Sequence, residues 1–256
     1  MSIFTAEQRE QIRKQLVAAA QDDPRVVGAA HTGSVSVGRE DRWSDIDLAL
    51  CLDPAANMDE IVADWTGSLY RNHAAVAHCD VMRETTLYRV FLLENTLQVD
   101  ISFWRTSDFR ATGPAFKLVF GTANPPRFTP AARPEELIGM GWLYALHVRS
   151  SIARSRPLQA EYMLSGMRNN VLALACVRFG LPSHQGRGVD ELPGDVRDTT
   201  SRCFPRSLET SELKRAFRAT LDALHDEICH VDADLGAGLE DPLRVMGNCL
   251  EEPYCP

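Results

Sequence analysis

The sequence lacks the long apolar runs and the paired cysteines that mark membrane proteins and zinc sites. No run in its 256 residues approaches the roughly 18 apolar residues of a transmembrane helix, so no membrane partner is expected. Charged residues interrupt the first twenty positions, which predicts an amphipathic helix from Thr5 rather than a signal peptide. The seven cysteines form no C-x-x-C pair, which disfavours zinc and is typical of reduced thiols in a cytoplasmic protein.

Positive charge is also scarce. The chain carries 27 lysines and arginines against 35 aspartates and glutamates, a net charge of −8. An acidic surface repels the phosphate backbone, so a nucleic-acid partner is disfavoured and a cationic small molecule suits the protein better. The hydrophobic share of 45% and the charged share of 24% are those of an ordinary globular protein with one large domain or two small ones.

Hydrophobic patterning divides the chain into two parts. Alternating or continuous apolar runs predict five strands, near residues 26–31, 45–52, 76–82, 86–94 and 96–104. Helical periodicity follows Thr5 and returns over residues 57–71, 134–155, 158–179 and 209–229. Four prolines between residues 122 and 134 indicate a linker. The sequence therefore predicts a small α/β domain followed by a helical domain.

Acidic residues on two of the predicted strands suit a metal site. Asp45 and Asp47 lie at positions i and i+2, so their carboxylates share one face of a strand, and oxygen ligands of this kind suit Mg²⁺. A third carboxylate from another strand would complete a site for two ions. Asp100 has the required alternation, and it could also accept a proton from a substrate hydroxyl. Asp80 and Glu94 remain alternatives for this third position.

Small and basic residues before the acidic strand suit a triphosphate. Gly33 allows close approach of the backbone, and Ser34 adds a hydroxyl and an amide donor. Arg39 and Arg42 follow in the connecting loop, where contact with phosphate and a solvated surface are equal alternatives. In the helical part, Glu161 is a candidate substrate contact, although a glutamate near the start of a helix more often only stabilises that end.

Together, a strand ending in Gly33-Ser34, ten intervening residues and Asp45-Ile-Asp47 resemble the signature of the polymerase-beta-type nucleotidyltransferase superfamily. The chain looks most like the antibiotic nucleotidyltransferases that modify aminoglycosides or lincosamides. The resemblance implies a nucleotidyltransferase domain of α/β (α+β) class with a mixed sheet over residues 1–121. It implies a linker over 122–134 and an all-helical, substrate-binding bundle domain over 135–256.

The resemblance also implies roles for individual residues. Asp45 and Asp47 would be ligands of two Mg²⁺ ions, and Gly33 and Ser34 would bind ATP or another nucleoside triphosphate. The third acid of the family is carried over to Asp100. The expected reaction is transfer of a nucleoside monophosphate, with AMP from ATP expected, to a hydroxyl of a small, cationic molecule, which would confer antibiotic resistance.

Two other functions remain open from the sequence. Small proteins of this superfamily act as non-catalytic antitoxin partners, although the complete set of acids here and the greater length argue against that function. Nucleotide transfer to a protein or to RNA is the second alternative, and the acidic balance argues against RNA. The identity of the acceptor lies outside what the motifs specify.

Overall fold

The computed structural model describes residues 3–128 and 130–248. The chain divides into two compact units between residues 129 and 130. Thr129, within the predicted linker, and residues 249–256, which include Cys249 and Cys255, lie outside the described residues. No helix in the described ranges is long and apolar enough to cross a membrane.

The first unit is a six-stranded sheet with helices. Its elements in chain order are α1 (Ala6–Asp22), β1 (Val26–Thr32), the one-turn α2 (Gly33–Ser36), β2 (Ile46–Leu52), α3 (Met58–Asn72), β3 (Ala75–Arg83), β4 (Thr86–Leu93), β5 (Gln98–Arg105) and β6 (Phe116–Phe120). The strand order is β3-β4-β5-β2-β1-β6. Only the pair of β2 and β5 is parallel among these strands, so the sheet is mixed, as predicted.

The ends of the first helix follow from local sequence. Thr5 caps α1 through its side chain, which accepts a hydrogen bond from the Gln8 amide, and the Gln8 side chain accepts one from the Thr5 amide. This reciprocal capping satisfies backbone donors that a helix start leaves unpaired. The predicted helix start at Thr5 is therefore confirmed.

The two central strands, β2 and β5, present one apolar face to the core. Ile46, Leu48, Val99, Ile101 and Phe103 are buried on this face. They pack in a cluster with residues of α1 and α3. The opposite face carries Asp47 and Asp100, which are paired in the parallel register. Alternation along the strands thus separates the core of the unit from its acidic face.

The second unit is helical, as predicted. It contains α4 (Pro134–Ala153), α5 (Pro157–Arg178), α6 (Gly194–Ser201), α7 (Thr210–Val231) and α8 (Ala233–Asn248), with two short 3₁₀ turns between α5 and α6. Its main apolar cluster includes Val148, Leu164, Phe217 and Leu224, and a smaller cluster forms around Cys176 and Leu192. The predicted helices correspond to α4, α5 and α7, whereas α6 and α8 are elements that the periodicity did not reveal.

The proline-rich stretch before the second unit is held to the first unit over part of its length. The Asn124 amide donates to the Phe109 carbonyl oxygen, and the Asn124 side chain donates to the Thr106 carbonyl oxygen at 2.7 Å. The Arg127 amide donates to the Ala111 carbonyl oxygen. Residues 122–128 therefore follow the surface of the first unit instead of forming a free tether.

Candidate metal and nucleotide site

Three carboxylates converge on the acidic face of the sheet. Asp45 directly precedes β2, Asp47 lies on β2 and Asp100 lies opposite Asp47 on β5. One carboxylate oxygen from each of the three lies within 4.8 Å of the other two, and all three residues are partly buried. This spacing allows the three oxygens to share bound cations.

An amide side chain connects two members of the cluster. The Gln98 Nε2 atom donates to Asp100 Oδ1 at 3.0 Å and to Asp45 Oδ2 at 3.3 Å. Gln98 and Asp100 are two residues apart on β5, so their side chains share a face. The amide is neutral, so it orients the carboxylates without removing their negative charge.

The environment of Asp100 favours its protonated form. Burial raises the pKa of the Asp100 carboxyl to about 6, and the nearby charge of Asp45 acts in the same direction. The hydrogen bond from Gln98 acts in the opposite direction and only partly offsets these effects. A carboxyl with a raised pKa can exchange protons near neutral pH, and a bound cation would favour its ionised form.

Glycine is required where the backbone passes the Asp47 carboxylate. Gly33 has φ +63°, a left-handed conformation that favours glycine. A Cβ atom added at Gly33 would overlap the Asp47 carboxylate oxygen and would lie 2.7 Å from its Cγ. The turn between β1 and α2 therefore lies directly against one of the three acids, and Ser34 follows in the same turn.

The loop from α2 to β2 carries the two predicted phosphate-binding arginines. Arg39 and Arg42 are exposed, and the Arg42 guanidinium lies 4.4 Å from the centre of the Trp43 ring. Trp43 itself is 64% exposed. These positive groups lie on the loop that leads into β2, and a phosphate-binding role for either arginine stays a prediction.

The rival acids lie elsewhere. Asp80 on β3 receives two hydrogen bonds from the Arg89 guanidinium, both at 2.7 Å, and that ion pair lowers the pKa of the Asp80 carboxyl. Glu94 lies in the turn after β4, where its amide donates to the Ala74 carbonyl oxygen. Within the described residues, the structure therefore brings Asp100, and neither rival, together with Asp45 and Asp47.

Glu161 lies in the second unit, on α5. Its Oε1 atom is 3.9 Å from the Arg168 Nη2 atom, and its side chain is 37% exposed. Arg168 is buried and stacks 4.1 Å from the centre of the Phe204 ring, while its Nε and Nη1 atoms have no hydrogen-bond partner among the described residues. A substrate role for Glu161 stays a prediction.

Sequence reasoning missed two buried arginines that contact the loop before β2. An amphipathic α1 would place its charged residues in solvent, but Arg9 and Arg13 are only 5% and 8% exposed. Their positions are spaced i and i+4 from each other and continue to Leu16 and Ala20, so they share the buried stripe. That spacing is the one signal in the sequence that could have found them.

Comparison with known proteins gives limited similarity. No protein-family model matches the chain, and no curated protein matches it. An aminoglycoside 6-adenyltransferase from Bacillus subtilis aligns over 93% of this chain and 98% of its own, at 9% identity and a TM-score of 0.40. The polymerase core of TRAMP, an RNA surveillance complex, aligns over 85% of this chain and 55% of its own, at 13% identity and a TM-score of 0.31.

By their names, the first of these structures is an adenyltransferase and the second is the core of a polymerase. At TM-scores below 0.5, neither likeness carries an argument about donor, acceptor or mechanism. The features that bear on the chemistry of this protein are its own acidic face and the turn at Gly33 that approaches this face.

Proposed function

We propose that the protein is a Mg²⁺-dependent nucleotidyltransferase that transfers a nucleoside monophosphate to a hydroxyl group of a small molecule, with ATP as the expected donor. The observation that carries this proposal is the cluster of Asp45, Asp47 and Asp100 beside the Gly33 turn. Transfer from a triphosphate requires hard oxygen ligands for divalent cations next to a place where phosphate can approach the backbone.

The donor atoms fit Mg²⁺. All three side chains offer carboxylate oxygens, and these lie within 4.8 Å of one another. Burial, and to a lesser degree the nearby charge of Asp45, raise the pKa of Asp100, so its ionised form is costly in the metal-free protein and bound cations would remove that cost. Asp45, Asp47 and Asp100 would together hold two ions, which when bound would stabilise negative charge on the phosphoryl oxygens and on the departing pyrophosphate.

The other residues have separate tasks in this proposal. The backbone at Gly33 and the hydroxyl and amide of Ser34 would bind the triphosphate. Arg39 and Arg42 would supply positive charge to the phosphates from the adjoining loop. A carboxylate oxygen of Asp100 would accept the proton of the acceptor hydroxyl. The hydroxyl oxygen of the acceptor could then attack the α-phosphorus.

The acceptor class is proposed from charge and from the resemblance of the motifs. A net charge of −8 favours a cationic, hydroxylated molecule such as an aminoglycoside, or a lincosamide, and the protein would then confer antibiotic resistance. The helical unit would bind this acceptor, with Glu161 as a candidate contact. A cytoplasmic location fits both the ATP donor and the reduced cysteines.

The proposal is tested by supplying labelled ATP and Mg²⁺ with panels of aminoglycosides, lincosamides, proteins and RNA. We expect label on a small hydroxylated acceptor, and its loss in Asp47→Asn. Asp80→Asn is the matched control, because it removes a carboxylate from the same sheet outside the cluster. Unchanged turnover by Asp47→Asn would refute the mechanism, and label on protein or RNA alone would refute the acceptor class.

A further inference from the structure

The first helix turns two arginines toward the interior of its unit. In the C-terminal half of the buried stripe, Leu16 and Ala20 pack in the apolar core. In its N-terminal half, the buried positions are Arg9 and Arg13. Removing a guanidinium from water is costly unless hydrogen bonds and opposite charges compensate for the lost hydration. The partners of these arginines therefore indicate what their burial achieves.

Apart from Glu10 on α1, which pairs with Arg13, those partners lie on the loop between α2 and β2. Arg9 Nη1 donates to the carbonyl oxygens of Asp41, at 2.5 Å, and of Ser44, at 3.1 Å. The Glu40 carboxylate lies between the two arginines: its Oε1 accepts a hydrogen bond from Arg13 Nη1. The same oxygen lies 3.3 Å from Arg9 Nε, in an ion-pair contact without hydrogen-bond geometry.

The loop closes on itself before it meets Arg9. Asp41 Oδ1 accepts hydrogen bonds from the Trp43 amide, at 2.8 Å, and from the Ser44 hydroxyl, at 3.1 Å. The Asp41 amide donates to Ser44 Oγ at 2.9 Å. Residues 41–44 thus form a small turn with internal hydrogen bonds. Arg9 binds this turn by donating to two carbonyl oxygens of the turn.

The hydrogen bond from Arg9 to the Ser44 carbonyl oxygen lies one residue before Asp45, the first acid of the cluster. Asp47 and Asp100 face each other within the register of β2 and β5, so strand pairing fixes both. Asp45 precedes β2, whose register with β5 begins at Ile46, so Asp45 lies outside the paired part of the strand. The residue before Asp45 is Ser44, whose carbonyl oxygen Arg9 holds.

We propose that Arg9, supported by Glu40 and Arg13, is a positioning residue for the acidic cluster. By holding the turn at residues 41–44, it keeps the Asp45 carboxylate within reach of Asp47 and Asp100. Arg9 does not touch the cluster itself. The inference rests on the proposed function, because it assumes that the three carboxylates bind divalent cations.

Arginine suits this task better than lysine. Its planar guanidinium presents several donors in a fixed fork, so one side chain can bind two carbonyl oxygens and a carboxylate together. A lysine can replace the charge but not the fork, so Arg9→Lys should retain part of the effect. Loss of residues that orient metal ligands typically weakens metal binding by about 10–100-fold.

The experiment is a titration with Mn²⁺, followed by electron paramagnetic resonance, of the full chain without nucleotide. We expect Arg9→Ala to bind Mn²⁺ about 10–100-fold more weakly than the unsubstituted protein, and Arg9→Lys to lie between the two. The matched control is Arg25→Ala, which removes ion pairs to Asp23 and Asp64 in the same unit. Arg25 precedes the first residue of β1, at the end of the strand away from the Gly33 turn. The control variant should bind Mn²⁺ normally.

Two results would overturn the inference, and they are distinguishable. If the unsubstituted protein binds no more Mn²⁺ than Asp47→Asn, the proposed function fails and the positioning role fails with it. If the unsubstituted protein binds Mn²⁺ and both Arg9 variants bind it as tightly as the unsubstituted protein does, only the positioning role fails. Should Arg9→Ala not fold, as judged by thermal unfolding, Arg9→Lys and Glu40→Gln decide, and affinity equal to that of the unsubstituted protein in both would overturn the inference.

Discussion

Carboxylates of the two units have different partners. In the helical unit, Glu227 on α7 is 5% exposed, and the Arg178 guanidinium donates to its two oxygens at 2.9 and 2.6 Å. In the sheet unit, Asp100 accepts its hydrogen bond from the neutral amide of Gln98, and two further carboxylates lie nearby. The buried Glu227 is neutralised by a cationic side chain, whereas the partly buried Asp100 shares a cluster of like charge.

The difference separates an acid that supports the fold from acids that suit a ligand. A guanidinium that donates to both oxygens of a carboxylate occupies the sites that a metal ion would use. A cluster oriented by a neutral amide keeps its negative charge available to a cation, at a cost to the metal-free protein. Substitutions in the two places should therefore affect different measurable properties.

The largest expected effect is on turnover, from Asp100→Asn. Asparagine keeps the shape of the side chain but cannot accept a proton from the acceptor hydroxyl, so we expect nucleotidyl transfer to fall by about 10²–10⁴-fold. The free energy of unfolding of the metal-free variant at pH 7 should not decrease, because a carboxyl disfavoured by its surroundings has been removed. Full activity, or clear destabilisation, would remove the contrast with Glu227.

Arg178→Ala should act on stability instead. It leaves the Glu227 carboxylate, with a side chain only 7% exposed, without its cationic partner. Breaking such a buried pair costs about 3 kcal/mol or more, which urea unfolding would measure. The double variant Arg178→Met, Glu227→Leu is the control, because replacing both partners by apolar groups should recover much of that loss. A single variant as stable as the parent would contradict the structural role.

Gly33→Ala should weaken the binding of Mg²⁺ and nucleotide, with Gly38→Ala as its control. Both glycines have positive φ, +63° and +68°, so each substitution should cost about 1–2 kcal/mol of backbone strain. Only at Gly33 would the new Cβ meet the Asp47 carboxylate, since Gly38 has nothing within 4 Å. Titration with a non-hydrolysable triphosphate should separate the variants, and equal affinities would contradict the proposed role of the Gly33 turn.

The smallest expected effect is a dependence of metal affinity on pH. With the pKa of Asp100 at about 6, the ionised fraction falls about tenfold between pH 7 and pH 5, so Mg²⁺ affinity should fall by about the same factor. The stability that this group contributes to the metal-free protein has the opposite trend, because its folded pKa is raised. It is fully present below about pH 4 and is lost as the pH rises through 6. Asp100→Asn should abolish both trends, and trends that persist would assign them to another group.

Most of the fold and the cluster of three carboxylates could be predicted because both depend on local alternation of polar and apolar residues. Asp45, Asp47 and Asp100 stand out as polar positions in apolar strands, and parallel pairing of β2 with β5 then brings the acids together. β6 and α8 did not stand out. β6 is a five-residue edge strand with partly exposed side chains, and α8 contains Pro242, which ordinarily argues against a helix interior.

The contacts of Arg9 could not be predicted from a local pattern in the sequence. Arg9 looks like a solvated residue on a helix until the loop at residues 41–44 folds back over it. Its partners lie 32 and 35 positions further along the chain, so no local window contains them. Long-range polar contacts of this kind depend on tertiary structure, which hydrophobic periodicity does not specify.

We propose that Asp45, Asp47 and Asp100 bind divalent cations together with a nucleoside triphosphate. The most direct measurement is a crystal structure of the protein with Mn²⁺ and a non-hydrolysable triphosphate, in which anomalous scattering locates the metal. We expect two metal peaks ligated by the three carboxylates, with the phosphates against the Gly33-Ser34 turn. A triphosphate bound elsewhere, or metal peaks that none of these carboxylates ligates, would contradict it.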